Sequence, residues 1–432
     1  MKLIDRRQFL ELGLVAGATV AVAGVVDAVL QHGLGTSSGA PSSGPGFGPG
    51  SPAPTMPVGQ LRPAALADRR LLVLDMAGGN DGLSMVPPIG NPLYYAARPR
   101  TSLPAAQILP VSAAVGLHPN LVKLHARGAA IVQGVGVPQP DLSHFEMLRR
   151  WWAGQMDATP ETLTGFLGRL CDTIGDPTAT AVGVSLGYGP TPALISAKAV
   201  TLSMDPYSNG AFPAPVVLDA HTAWLAGWKN MAEYAPTEAV PFCSARKGAA
   251  YALRFSQLAA NFPPADPAYP ATELGTQLAL AARMLTENNG IRVVHVPVLG
   301  DFDTHDDHLV RHAALMAELD AALDAFLVDL GQRGIADRVL VATTSEFGRR
   351  LPDNASNGLD HGAASFATFV GPVVNGLYGQ YPSLATLDPN DNLVVQVPMS
   401  DYYATIAEAW FGVPASDVLA GSATPISGLI AG

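Results

Sequence analysis

The sequence predicts an α/β fold with a central, mainly parallel sheet flanked by helices, and three observations lead there. Strand-like runs alternate with helical patterns along the chain. The runs Arg70 to Asp75, Ile291 to Leu299 and Arg338 to Thr344 have continuous apolar, often β-branched interiors rather than alternating ones, the pattern of strands covered on both faces. Carboxylates and histidines cluster just beyond these runs, and in open α/β sheets ligands bind outside the carboxyl ends of the strands.

The 432 residues are 48% hydrophobic and 14% charged, enough to bury a large core in one domain or two smaller ones. The formal charge of −11, with no Lys/Arg run beyond isolated pairs such as Arg349 and Arg350, excludes nucleic acid as a partner. Cys171 and Cys243 are the only cysteines. They are too few for a disulfide scaffold or a thiolate metal site, and one bridge between them stays open.

Residues 1–28 read as an export signal. Arg6 and Arg7 precede an Ala/Val/Gly-rich apolar segment from Leu12 to Val26, and Val26-Asp27-Ala28 offers a small-residue cleavage site. This resembles a twin-arginine signal, which implies export of a folded protein to the periplasm, cell envelope or exterior. The apolar run is about 15 residues, short of the roughly 20 that span a bilayer, and an uncleaved signal would serve as a membrane tether. Residues 29–66, dense in Gly, Pro and Ser, form a linker. Residues 67–432 then form the α/β domain.

Along that domain, Arg70 to Asp75 is the first buried strand, and Gly78-Gly79-Asn80-Asp81-Gly82-Leu83 is a Gly-rich loop at its end. Asp81 is a ligand candidate there, or a turn residue, since Asn, Asp and Gly tolerate left-handed backbone. His118, in Leu117-His118-Pro119, caps or ligates ahead of a short helix to Arg127. Ala129 to Val135 is the next strand. A helix follows over Met147 to Ala153, with Trp151 and Trp152 in its core and Asp141 or Ser143 as N-cap. A hydroxyl at a helix N-terminus also lies where the dipole stabilises an anion, so Ser143 is either a cap or a nucleophile facing a phosphate-like group. Ala181 to Leu186 is a strand, Pro190 to Pro215 a loop-rich stretch, and Ala249 to Asn289 two helical patterns broken at Phe262 to Pro270. His221 and His295 stand alone and read as satisfied core or surface residues.

The run Ile291 to Leu299 ends in Gly300-Asp301-Phe302-Asp303-Thr304-His305, two carboxylates and an imidazole within five residues. The helix that follows to Leu330 carries His308 and His312 one turn apart; His312 supports the site from behind, and His308 faces either the site or solvent. Arg338 to Thr344 ends in Ser345-Glu346-Phe347-Gly348-Arg349-Arg350, and Asp360-His361-Gly362 comes soon after. Oxygen and nitrogen donors at successive strand ends suit a hard or borderline divalent metal. Phe366 to Val370 and Leu393 to Val397 are further strands, and Asp401 to Phe411 is a terminal helix. No internal repeat, phosphate-binding Gly-Lys-Ser/Thr loop or dinucleotide fingerprint occurs.

On the segments Gly78 to Leu83, Leu117-His118-Pro119, Ser143-His144-Phe145, Phe302 to His305, Ser345 to Arg349 and Asp360-His361-Gly362, the chain resembles the exported family catalogued as domain of unknown function 1501, similar to the alkaline phosphatase and sulfatase superfamily. The resemblance covers most of the chain after the linker. It implies a three-layer alkaline-phosphatase-like fold and two divalent metal ions, of zinc, calcium, magnesium or manganese. The implied ligands are Asp81, His144, Asp301 or Asp303 together with His305, Glu346, Asp360 and His361. Ser143 falls where the nucleophile is expected, and Arg349 would neutralise equatorial oxygens.

The implied activity is hydrolysis of phosphate, phosphodiester or sulfate esters of a small molecule or polymer by in-line attack. Two departures qualify it: Glu346 stands where phosphatases usually carry Asp, and no Cys-x-Pro-x-Arg segment of a formylglycine sulfatase occurs. The alternative is a non-catalytic cell-envelope protein whose metal site holds the fold and which acts through a protein partner. A metal oxidoreductase exported folded is disfavoured, because no haem, flavin or iron-sulfur motif is present.

Overall fold

The computed structural model describes residues 61, 63–159, 161–208, 226, 240–264, 268–286 and 289–431. The export signal, almost all of the linker and His221 lie outside them.

The strands, in chain order, are β1 (Arg70–Asp75), β2 (Leu109–Pro110), β3 (Gly116–Leu117), β4 (Ala130–Gly136), β5 (Gly183–Leu186), β6 (Thr201–Met204), β7 (Val293–Val296), β8 (Val339–Thr344), β9 (Gly348–Asp353), β10 (Leu359–Gly362), β11 (Ser365–Val370), β12 (Gly376–Tyr378) and β13 (Val397–Pro398). Nine of them form one sheet in the order β12-β4-β11-β8-β1-β7-β5-β6, with β13 also on β4. Its β8-β1-β7-β5-β6 half is parallel throughout, and β11 runs antiparallel to both β4 and β8. β9 and β10 make a separate antiparallel hairpin.

Both faces of the sheet are covered, which is why the central strands read as unbroken apolar runs. Alternate residues serve two cores. Leu72, Leu74, Val184, Leu186, Val294 and Val296 pack with the helices α5 (Glu273–Met284) and α6 (His308–Gln332). Leu71, Val73, Val293, Leu340 and Ala342 pack on the other side with α2 (His144–Ala153), α3 (Phe166–Ile174) and α7 (Met399–Ala404). Two further helices are α1 (Val122–Arg127) and α4 (Val240–Ala259). The result is the three-layer α/β architecture with a mainly parallel sheet that the sequence predicts.

Three expectations need correcting. The stretch Pro190 to Pro215 contains β6, an edge strand that pairs with β5. Leu393 to Val397 supplies only the start of the two-residue β13, because Asp388 to Asn392 folds back on itself through bonds to the Asp388 carboxylate. Cys171 is a free thiol buried on α3, so no bridge closes on it, and the side chain of Cys243 lies outside the described residues. Among the described residues, no helix is long and apolar enough to cross a membrane.

Candidate metal centre

Four side chains from three strand-end segments converge. β7 is followed by the loop that carries Asp303 and His305, the β9-β10 hairpin presents His361, and the N-terminus of α2 presents His144. Gly78 lets these segments close up: it sits at φ 110°, where a side chain would collide with the backbone nitrogen of Asp303.

Each of the three imidazoles is turned by a partner on Nδ1. His361 Nδ1 lies 2.9 Å from the Leu142 carbonyl, which can only accept, so this nitrogen carries the proton. His305 Nδ1 lies 3.2 Å from Asp360 Oδ1, and His144 Nδ1 lies 2.9 Å from Glu346 Oε1. All three Nε2 atoms therefore point inward, towards the Asp303 carboxylate. His361 Nε2 and His305 Nε2 are each 3.2 Å from Asp303 Oδ1, and His144 Nε2 is 3.6 Å from Oδ2. His305 Nε2 and His361 Nε2 stand 2.9 Å apart. With both Nδ1 atoms protonated, two lone pairs face each other at that distance, an arrangement that needs a proton or a cation between them. Among the described residues, the ligand atoms of His144, Asp303 and His361 have the mutual spacing of a metal site. The donor set therefore fits a divalent cation, with the orienting acceptors on the far nitrogens that such sites require.

The electrostatics follow from the same contacts. Burial works to raise the Asp303 carboxyl, but bonds from His144, His361 and Arg349 outweigh it and hold the group far below the ordinary carboxylate range. Burial works to lower His144, yet the Asp303 and Glu346 carboxylates hold it up at about 9. Asp360 is held low, first by the Asn354 side chain and then by His305.

Several predicted residues take other places. Asp81 does not join the cup: Arg98 grips both its oxygens at 2.6 and 2.9 Å in the fully buried interior, and this outweighs burial in keeping its carboxyl far below the usual range. Asp301 turns aside, accepting from the Asp303 amide at 3.3 Å and facing Arg311 at 3.5 Å. Glu346 and Asp360 stand behind His144 and His305 as orienting carboxylates. Glu346 also accepts from the Gly78 amide at 2.7 Å, while its second oxygen is buried without a partner.

Arg349 is not placed to meet a substrate. It is 1% exposed, and it donates to the carbonyls of Gly79, Leu359, Phe302 and Gly78 and to Asp303 Oδ1 at 2.7 Å. Its role in the geometry is to hold Asp303 and knit the loops together. Ser143 occupies the N-cap position of α2 beside His144, but its side chain makes no capping bond.

A second histidine group lies deeper. His308 bonds Thr304 and Ser84, His312 bonds Asn80, and His118 accepts from the Asn120 amide. His308 is buried rather than solvated, and His312 belongs to this group rather than standing behind the cup. Sequence reasoning missed Arg98, Asn354 and Asp75. Only Asp75 left a trace, as a carboxylate closing an otherwise apolar run.

Together these observations define a three-layer α/β protein with a histidine and carboxylate cup at its strand ends. Residues 254–413 match the model of a family described as "Protein of unknown function (DUF1501)", so the resemblance read from the motifs holds for that segment. No curated protein matches the chain. Similar solved structures include the lipoteichoic acid synthase LtaP from Listeria monocytogenes, at 10% identity over 82% of this chain and 74% of that one, with a TM-score of 0.36. The PsFucS1 sulfatase from Pseudoalteromonas sp. has 13% identity over 80% and 68%, TM-score 0.36. The phosphonate monoester hydrolase SpPMH from Silicibacter pomeroyi has 12% identity over 80% and 73%, TM-score 0.34. These likenesses bear on no residue's chemistry.

Proposed function

We propose that the protein is an exported, metal-dependent hydrolase of phosphate, phosphodiester or sulfate esters, with His144, Asp303, His305 and His361 holding the metal. The observation that carries this reading is the convergence of three Nε2 lone pairs on one carboxylate, each fixed from behind. Three imidazoles favour a zinc-class ion over calcium or magnesium, which take oxygen ligands. Such an ion, when bound, polarises an ester oxygen and lowers the pKa of a hydroxyl beside it.

The chain's own groups supply the rest. Ser143, the N-cap of α2 and His144's neighbour in the chain, stands where the helix dipole favours negative charge and is the proposed nucleophile. Glu346, Asp360 and the Leu142 carbonyl hold the imidazoles in their binding tautomer. Arg349 keeps Asp303 ionised and oriented. The donors gathered here suffice for one ion, since Asp81 is held by Arg98.

The test is metal content of protein purified without a histidine tag, beside His361→Ala and Ser143→Ala, with turnover of 4-nitrophenyl phosphate, bis(4-nitrophenyl) phosphate and 4-nitrophenyl sulfate. About one equivalent of metal is expected in the parent and in Ser143→Ala, and much less in His361→Ala, with turnover in the parent alone. Metal without turnover of any ester would turn the reading to a structural site acting through a partner. Absence of metal after loading would end it.

A further inference from the structure

We propose that Trp152 and Asp75 are positioning residues of the histidine cup, acting through the helix that carries His144; this rests on the metal-centre reading above. Two successive indoles dock α2 on the strand ends. Trp151 donates Nε1–H to the Glu346 carbonyl at 3.0 Å, and Trp152 donates to Asp75 Oδ2 at 3.3 Å. The helix places Trp151 about 10 Å along the axis from His144 and nearly on the same face. Paired anchors at that distance fix both the rotation of α2 and its height, and so the point at which His144 Nε2 arrives.

Asp75 is built to serve as the fixed end of that tie. It is the last residue of β1, 7% exposed, and its carboxylate takes His295 Nε2 at 2.9 Å and the Thr344 hydroxyl in addition to the indole. In register, Asp75 lies beside Thr344 of β8, and His295 of β7 lies beside Val73 of β1. Donors from two neighbouring strands and from α2 thus meet on one carboxylate, which satisfies a charge that burial would otherwise penalise. His295 is dedicated to this task. Its Nδ1 is buried without a partner, as is the hydroxyl of Ser185, its register neighbour on β5, so the imidazole's one hydrogen bond goes to Asp75. Trp151 sits in the core against Tyr402 and Tyr403, whereas Trp152 is half-buried at its edge. The Trp152 indole N–H can therefore be removed with little loss of packing.

Trp152→Phe keeps an aromatic ring and deletes the donor. Zinc affinity, measured by competition with a chromogenic chelator, should weaken about tenfold, the usual scale for losing an orienting partner, with the thermal midpoint of the metal-free protein nearly unchanged. In a His144→Ala background, the same change should have no further effect, because its influence passes through His144. Parent-like zinc affinity in Trp152→Phe, or an equal loss in both backgrounds, overturns the proposal. Imidazole NMR of the metal-free protein separates this outcome from failure of the metal reading. Trp152→Phe and Asp75→Asn should move the His144 ring signals and leave those of His118 in place. Unmoved His144 signals refute the positioning role whether or not zinc binds.

Discussion

Two sets of three histidines, built from similar stretches of sequence, have opposite characters. His144, His305 and His361 have side-chain exposures of 21 to 43% and share the Asp303 carboxylate as a common focus. His118, His308 and His312 are 0 to 2% exposed, lie with neighbouring ring centroids 4.9 and 5.5 Å apart, and bond separately to Asn120, Thr304, Ser84 and Asn80. Beside the second set, Asp81 is neutralised by Arg98. The difference shows that residue type and spacing do not make a metal site. Lone pairs must aim at one accessible point, with their far nitrogens held; where each ring finds a partner of its own, the same residues become polar core.

Breaking the Asp81–Arg98 pair should have the largest effect on stability. Asp81→Ala leaves a buried guanidinium uncompensated and should lower unfolding stability by roughly 3–5 kcal/mol, read from denaturant midpoints; a loss under 1 kcal/mol would show that water reaches Arg98. Metal removal comes next. Zinc at about 100 times its Kd should stabilise the protein by roughly 3 kcal/mol, so chelation should lower the thermal midpoint of the parent and leave that of Asp303→Ala unmoved.

pH should sharpen the contrast, because the two sets pull in opposite directions. Burial, reinforced by repulsion from His308, pushes His118 down to about 4, and burial pushes His312 well below the ordinary range. Groups whose folded pKa is depressed are neutral in the fold while the unfolded chain takes up protons. Their stabilisation is therefore present above about pH 6.5 and is lost as the pH falls towards 4. His144 is raised to about 9 in the metal-free protein, so its contribution is present below 6.5 and is lost as the pH rises through 9. Metal-free protein should lose stability on both sides of about pH 6.5, and the alkaline loss should vanish on loading with zinc, which displaces the His144 proton. An alkaline loss that persists with zinc bound would remove His144 from the ligands. The smallest effect on stability should be that of Ser143→Ala: with no capping bond to lose, it should cost under about 0.5 kcal/mol, and a loss above 1 kcal/mol would reveal a structural role for the hydroxyl.

The strands were legible where chemistry is local. Arg70 to Asp75 forms the first strand over the residues its apolar run marks out, and the run before Glu346 ends with β8 at Thr344, whereas the run Ile291 to Leu299 yields only the four-residue β7, which ends at Val296. The cup was legible in outline, since His305 and His361 carried the strongest motifs. What the sequence concealed were pairings across long separations. Nothing near Asp81 announces Arg98, and nothing near Arg349 shows that its fork faces inward onto carbonyls. His144 stood out only through the family resemblance, because a histidine at the start of a helix has no local signature. Asp75 was absorbed into its strand because the donors that reach it come from α2, β7 and β8.

The guanidinium of Arg349 also fixes when the site can exist. It joins carbonyls of Gly78 and Gly79 to a residue 270 or more positions later, and no other described side chain bridges those two loops and Phe302 together. Contacts of such long separation form late, after much of the chain has already been made. During synthesis β1, β5, β6 and β7 can emerge and pair, while β4 waits for β11 and the cup still lacks its hairpin. The cup is therefore a completion mark: a chain stopped short of residue 361 would hold the parallel half of the sheet and an unfinished cup.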